Sequence, residues 1–176
     1  MAWSCKIATL LYCFNEAGEI LLVERAQEPN RGRWSPCGGK LKMDLGESPY
    51  VCAGWEAQAE IRQRFATSDL HLAGLISEHG YPGQTHWLMF LFEVKVKSPP
   101  PPPAEGRFGF FPRGQIFDLK IPQTDREQIC AVVLAVSRRL FCGALPVPRG
   151  GPERVEFGRK IWENFQSSML NAFKQL

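Results

Sequence analysis

Glu47, Glu56 and Glu60 are the residues whose type and spacing could do chemistry here. Glu56 and Glu60 are four apart, so on a helix their carboxylates stack on one face. Glu47 stands where that helix would begin. Three carboxylates brought together in this way can hold a hard divalent cation such as Mg2+ through oxygen ligands. The competing reading is an amphipathic helix with a solvated acidic face. The glycine pair Gly38-Gly39, which opens the loop leading to Glu47, shifts the balance towards a site.

The elements needed to position these carboxylates are legible around them. Ser48 suits an N-cap because its oxygen can accept from an orphan helix N–H, and Pro49 suits the first helical position. Ala53, Ala57 and Ile61 put small and apolar groups on the opposite side, as close packing on a sheet requires.

This order of glycine, loop, Glu, then a helix bearing Glu-x-x-x-Glu resembles the Nudix box, G-x5-E-x7-R-E-U-x-E-E-x-G-U with U aliphatic. Gly39, Glu47, Glu56, Ala57 and Glu60 match. The loop between Gly39 and Glu47 is two residues longer than the box, Trp55 replaces the arginine, and Ala59 replaces the first glutamate of the pair. Arg62-Gln63 replace the glycine and its aliphatic neighbour, so the helix is expected to run on to Arg64 or Phe65.

The resemblance implies a Nudix-type α/β/α sandwich built on a mixed β-sheet, and hydrolysis of a nucleoside diphosphate linked to a moiety X. It implies Mg2+, with Mn2+ as an alternative, held by Glu60 and Glu56 with the Gly39 carbonyl. Glu56 is then a ligand or the base, and Glu56 and Glu60 are the catalytic pair. Glu47 ordinarily pairs with the box arginine, a role an indole cannot take, leaving Lys40 or Lys42 as substitutes. Glu105, after the proline run, falls near an additional family carboxylate. Gly32-Arg33-Trp34 followed by Gly38-Gly39-Lys40-Leu41 is similar to the MutT-like oxidised-nucleotide triphosphatases, which makes Arg33, Trp34 and Lys40 the expected substrate-binding residues. The asparagine that some of those members use for base recognition is Ser35 here, so base specificity does not carry over.

Two functional readings follow, with a third beside them. The first is a metal-dependent pyrophosphohydrolase with activity reduced by the loss of a carboxylate at Ala59. The second is a catalytically inactive Nudix-fold module that binds a nucleotide or a protein. The third is an unrelated α+β scaffold whose glutamates are surface decoration.

Composition sets the outer bounds. A length of 176 residues suits one domain with a single core. A hydrophobic content of 44%, with five Trp and twelve Phe, indicates a folded chain. The net charge of +3 is small and scattered, which argues against a nucleic-acid polymer as partner. The local basic run Asn30-Arg31-Gly32-Arg33-Trp34 suits an anionic small molecule. Six cysteines at irregular spacing form no C-x-x-C pair; they read as reduced thiols in a cytoplasmic protein. The apolar run Ile7 to Phe14 is too short to span a membrane. A monomer and a homodimer are equally compatible with the sequence.

In chain order, the patterns predict strands over Lys6–Phe14, Ile20–Val23, Asp69–Ile76, Trp87–Lys97 and Arg107–Phe111, with a short extended segment over Trp34–Cys37. Asn15 to Gly18 is a turn, and His79 to Gly83 a loop. Pro99 to Pro103 form a stiff external loop. Thr124 and Glu127 form a capping box for a helix through Leu140. Gly143 to Pro152 reads as a connection to an added C-terminal helix carrying Trp162, Phe165, Met169, Phe173 and Leu176. The expected organisation is a domain over 1–145 and a helical extension over 146–176 packed on it.

Overall fold

One strand sets the architecture of the computed structural model, which describes residues 4–28, 30–81, 85–103, 106–122, 125–126 and 141–145. β1 (Ser4–Phe14) sends Ala8 and Tyr12 to one face of the sheet and Leu11 and Cys13 to the other. This is the two-residue period of a strand buried on both faces. β6 (Thr85–Lys95) runs parallel to β1 from Ser4 opposite Thr85 to Phe14 opposite Lys95. The other edge of β1 is shared. β4 (Cys37–Lys40) pairs antiparallel with Ala8–Leu11, and β2 (Ile20–Glu24) pairs with Cys13 and Phe14.

Around this centre, β3 (Trp34–Ser35) and β7 (Arg107–Phe111) pair antiparallel with β2. β5 (His71–Tyr81) lies antiparallel to β6, and β8 (Phe141–Leu145) lies parallel to β5. Among the described residues, the product is a mixed eight-stranded sheet. With a helix on it, this is the mixed α and β class expected from the sequence. The β1–β2 connection has the predicted turn chemistry: Asn15 accepts from the Glu19 N–H at 2.9 Å, its amide donates to the Glu19 carboxylate at 2.7 Å, and Gly18 takes φ of 76°.

Each face of the sheet carries its own core. On one face Tyr12, Ile20, Leu22, Ile76 and Leu91 are closed over by Ile116 and Ile121, the former from a 3-10 turn over Arg113–Asp118. On the other, Leu11, Leu21, Phe92 and Val94 receive Ala53, Ala57 and Ile61 from α1 (Pro49–Glu56) and the turn that continues it. Full burial of a Leu, Ile or Phe side chain here contributes roughly 1.5–3 kcal/mol. Leu72 and Ile76 are an even number of residues apart yet face opposite cores. A β-bulge between Leu72 and Gly74 inserts the extra residue that turns the strand over.

α1 begins as the sequence requires, with Pro49 at its first turn and the Ser48 hydroxyl accepting from the Val51 N–H at 3.2 Å. It ends sooner than expected. After Glu56 the backbone widens into a single π turn over Ala57–Ile61, and Arg62 stops it in the left-handed conformation with φ of 58°. The Arg62 and Gln63 N–H groups both turn back to the Ala57 carbonyl, so the orphan carbonyl is satisfied without further helix.

Two other expectations are corrected. β5 continues to Tyr81, so His79 and Gly80 belong to a strand and not to a loop. Gly143 to Leu145 form most of β8 and are not part of a connection; pairing with β5 imposes strand geometry on a segment whose composition reads as a turn. The Thr124–Glu127 capping box, its helix and the 146–176 extension lie outside the described residues.

Candidate metal and catalytic site

The carboxylates meet the glycine pair where α1 crosses β4. Gly38 and Gly39 are both required by close approach. A Cβ on Gly38, whose φ is 149°, would fall 2.1 Å from the Thr9 carbonyl oxygen. A Cβ on Gly39 would fall 2.2 Å from Glu56 Oε1. The bare edge of β4 thereby lets the helix carboxylates lie against backbone. Glu60 Oε2 accepts from the Gly38 N–H at 3.1 Å, and the Cys37 thiol is hydrogen-bonded to the same carboxylate. The Gly39 carbonyl accepts from the Cys52 thiol at 3.8 Å, and Cys52 Sγ also lies 3.5 Å from the Thr9 hydroxyl.

The two additional residues in the loop are accommodated by a 3-10 turn over Met43–Leu45, closed by Gly46 at φ of 63°. This turn leaves Glu47 beside the Lys42 N–H, from which its Oε2 accepts at 2.9 Å. Glu47 thus finds a loop-fixing partner without the box arginine. The partner is the backbone of Lys42, not a lysine side chain. Trp55, at the arginine position, is 64% exposed and takes no part in holding the loop. Ala59 is also exposed.

Burial and mutual repulsion tune the acids. Desolvation is the largest cause raising Glu56 above the ordinary carboxylate value, followed by the charges of Glu60 and Glu47, with Lys42 partly offsetting them. Desolvation also raises Glu60, against the lowering effects of the Cys37 and Gly38 hydrogen bonds and the Arg25 charge. Burial and the neighbouring Glu60 push Cys13 up to about 12 and Cys37 well above its usual value, so both are inert thiols. Cys5, Cys13, Cys37 and Cys52 are all free.

Among the described residues, no three His, Cys, Asp or Glu side chains form a metal-holding group by themselves. What the site offers is two adjacent half-buried carboxylates and the Gly39 carbonyl, with Glu47 close enough to act on Glu56 electrostatically. An all-oxygen set of one or two carboxylates suits Mg2+, which keeps several waters and takes phosphate oxygens from its substrate. The residues present fit that ion.

The expected substrate residues are not gathered with the carboxylates. Lys40 follows Gly39 on β4, so its side chain leaves the opposite face, where Nζ lies 5.8 Å from the Trp87 ring centroid. Trp34 packs on that same face, edge-on to Phe111 at 4.8 Å between centroids, with the Arg107 guanidinium 5.4 Å from its ring centroid. Arg33 is exposed and donates to the Ile121 carbonyl at 3.1 Å. Glu105 lies outside the described residues. The sequence reading overlooked Cys37 and Cys52, yet Cys52 is one turn before Glu56 in the same four-residue series that picked out Glu56 and Glu60. It also overlooked Gln63, a buried amide that donates to the Ser98 carbonyl at 2.7 Å and accepts from the Lys97 N–H at 2.9 Å.

The NUDIX domain family model matches residues 6–132. The chain therefore belongs to the NUDIX domain family. Its fold is similar to a mutator MutT protein from Bacillus halodurans, with a TM-score of 0.64 at 22% identity over 79% of this chain and 88% of that one. A MutT protein from Methanosarcina mazei gives a TM-score of 0.61 at 20% identity, covering 72% of this chain and 91% of that one. The NUDIX domain of Shewanella oneidensis NrtR, solved in complex with ADP ribose, gives 0.58 at 12% identity, covering 76% of this chain and 87% of that one. No curated protein matches the sequence. No helix among the described residues is long and apolar enough to cross a membrane.

Proposed function

We propose that this chain is a divalent-metal-dependent pyrophosphohydrolase, cleaving the diphosphate linkage of a small nucleotide, with a nucleoside triphosphate as the first candidate. The observation that carries this reading is the contact of Glu56 and Glu60 with the Gly38-Gly39 edge. In it, Glu60 and Glu56 hold Mg2+, or Mn2+ in its place, with the Gly39 carbonyl completing the protein's share. The metal supplies neutralisation of phosphate charge. Where Glu56 acts as the base, it receives the proton of the attacking water as the leaving phosphate group departs. Gly38 N–H holds Glu60 in orientation, and the Glu47–Lys42 bond fixes the loop so that Gly39 keeps its place. The protein works on a small molecule in the cytoplasm, without a membrane or nucleic-acid polymer.

A second reading, a nucleotide-binding module without turnover, is favoured by one observation. Glu60 is already engaged by a backbone N–H and a thiol, and Ala59 adds no second carboxylate. One experiment separates the two. Phosphate and pyrophosphate release is measured from nucleoside triphosphates, dinucleoside polyphosphates and ADP ribose, with Mg2+, Mn2+ or EDTA. Hydrolysis requires metal and falls by about 100-fold or more in Glu60→Gln, of the order seen when a catalytic group is lost. Ala59→Glu raises it. Turnover unaffected by Glu60→Gln sinks the metal assignment, and silence in wild type and Ala59→Glu alike, with a nucleotide-induced thermal shift retained, favours the binding module.

A further inference from the structure

Four cations surround one cleft on the flank of the molecule, away from the glutamates in sequence and different in chemistry. Arg31, Gly32 and Arg33 from the β2–β3 loop, with Lys120, Ile121 and Arg126 from beyond the 3-10 turn, line an open cavity of about 480 Å3. That volume falls in the range of small-molecule sites, roughly 300–1,000 Å3. No carboxylate is among its described lining residues. Ion pairs among the described residues join Lys95 to Glu16, Lys97 to Asp69 and Arg107 to Glu24, and so leave the four cations of the cleft unneutralised. The neighbouring Asp125 does not serve them; its carboxyl is buried beside Glu78.

The cleft is built, not a chance meeting of mobile side chains. The loop is cinched at its base by the Arg25 N–H to the Arg33 carbonyl at 3.0 Å and the Gly32 N–H to the Arg25 carbonyl at 2.8 Å. Positive φ angles at Asn30 and Gly32, 71° and 70°, make the turn that carries Arg31 at its tip. Across the cleft, the Trp34 N–H donates to the Lys120 carbonyl at 2.7 Å and Arg33 donates to the Ile121 carbonyl. Arg126 is held by the carbonyls of Phe117 and Leu119. These bonds hold Arg33 through Nη1 and Arg126 through both Nη1 and Nη2, and leave the remaining N–H donors of each guanidinium for a ligand. Arg31 and Lys120 make no side-chain hydrogen bond or ion pair among the described residues. Like charges held together repel, and a bound anion relieves that repulsion.

We propose that this cleft is an anion site that takes a phosphate or polyphosphate group of a small ligand. Guanidinium forks match phosphate oxygens two at a time, and Lys120 adds a point charge. Recognition by cations needs no metal, so the site acts independently of the carboxylates and of the hydrolysis proposed for them. The phosphate comes either from the remote end of the hydrolysed substrate or from a separate phosphorylated ligand.

Inorganic tripolyphosphate is the probe, titrated calorimetrically into the full chain in EDTA. Wild type and Glu60→Gln bind it alike. The double variant Arg31→Gln/Lys120→Gln, which removes the two cations that hold no structural bond, weakens binding by about tenfold or more and lowers its dependence on salt. A tripolyphosphate affinity that is absent in wild type, or survives the double variant, overturns the proposal. So does tighter binding of a single-stranded oligonucleotide, which would make the cleft part of a polymer track. With a hydrolysed nucleotide in hand, a raised KM at constant kcat in the double variant assigns the phosphate to the substrate. An unchanged KM, with tripolyphosphate binding lost, assigns it to a separate ligand. Because the titration contains no metal and includes Glu60→Gln, it stands even if the chain hydrolyses nothing.

Discussion

Gly39 has no space for a methyl group, because the position of its Cβ is occupied by the Glu56 carboxylate. Gly39→Ala must therefore displace either β4 or Glu56. The side chain moves more readily than paired backbone, so the variant keeps its fold while Glu56 leaves its place against Gly39. We expect metal-dependent turnover to fall by about 100-fold with the thermal midpoint nearly unchanged. Activity close to wild type would show that Glu56 does not act from this position. The residues of this site were unequally legible. Glu56 and Glu60 announce themselves by spacing, and Ser48-Pro49 by capping chemistry. Cys37 and Cys52 did not, because a thiol among apolar neighbours reads as a small hydrophobe, and only the crossing of helix and strand reveals what it faces.

The element that carries the carboxylates ends at a residue poorly suited to the geometry required. Arg62 adopts φ of 58°, where a side chain costs roughly 1–2 kcal/mol and glycine costs nothing. Arg62→Gly should stabilise the protein by about 0.5–1 kcal/mol, since the added freedom of glycine in the unfolded chain offsets part of the relief. Urea denaturation measures this; a midpoint equal to or below wild type would mean that Arg62 contributes something the backbone angle conceals. Sequence reasoning extended this helix because arginine, unlike glycine, is a good helix former. What ends it is tertiary: Gln63 is drawn inwards to clamp the end of β6 through Ser98 and Lys97, and no helical continuation satisfies both bonds. The same limitation hid β8. Its Gly143 signals a turn, and only its partner β5, remote in sequence, makes it a strand.

For the whole molecule, the buried acids set a shared response to pH. Asp125 is only half-buried as a residue, but its carboxyl is enclosed beside Glu78, and desolvation first and that charge second raise it from 3.8 to about 7. Glu56, Glu60 and Glu93 are also raised, each mainly by desolvation. A carboxyl whose folded pKa lies above its unfolded value takes up a proton on folding. Its contribution is fully present below the unfolded pKa and is lost as pH rises through the folded one. The thermal midpoint in EDTA should therefore fall between about pH 4 and about pH 7, and Asp125→Asn should flatten part of the decline. Mg2+ favours the charged carboxylates, so the increment it adds to the midpoint should grow over the same interval. A profile in EDTA that rises with pH would contradict the burial of these groups.

The parallel pairing of β1 with β6 also governs how the chain finds its structure. Ser4 and Thr85 are 81 residues apart, and their strands lie side by side along their full length. Closing so long a loop costs on the order of 4 kcal/mol in chain entropy before any contact offsets it. During synthesis, the apolar strand β1 must wait until residue 95 has left the ribosome. Until then β1 can find only the partial partners β2 and β4, which occupy different stretches of the same edge. High contact order of this kind makes for slow folding and a nascent chain with an unpaired hydrophobic edge, so β1 is where a chaperone would have most to protect.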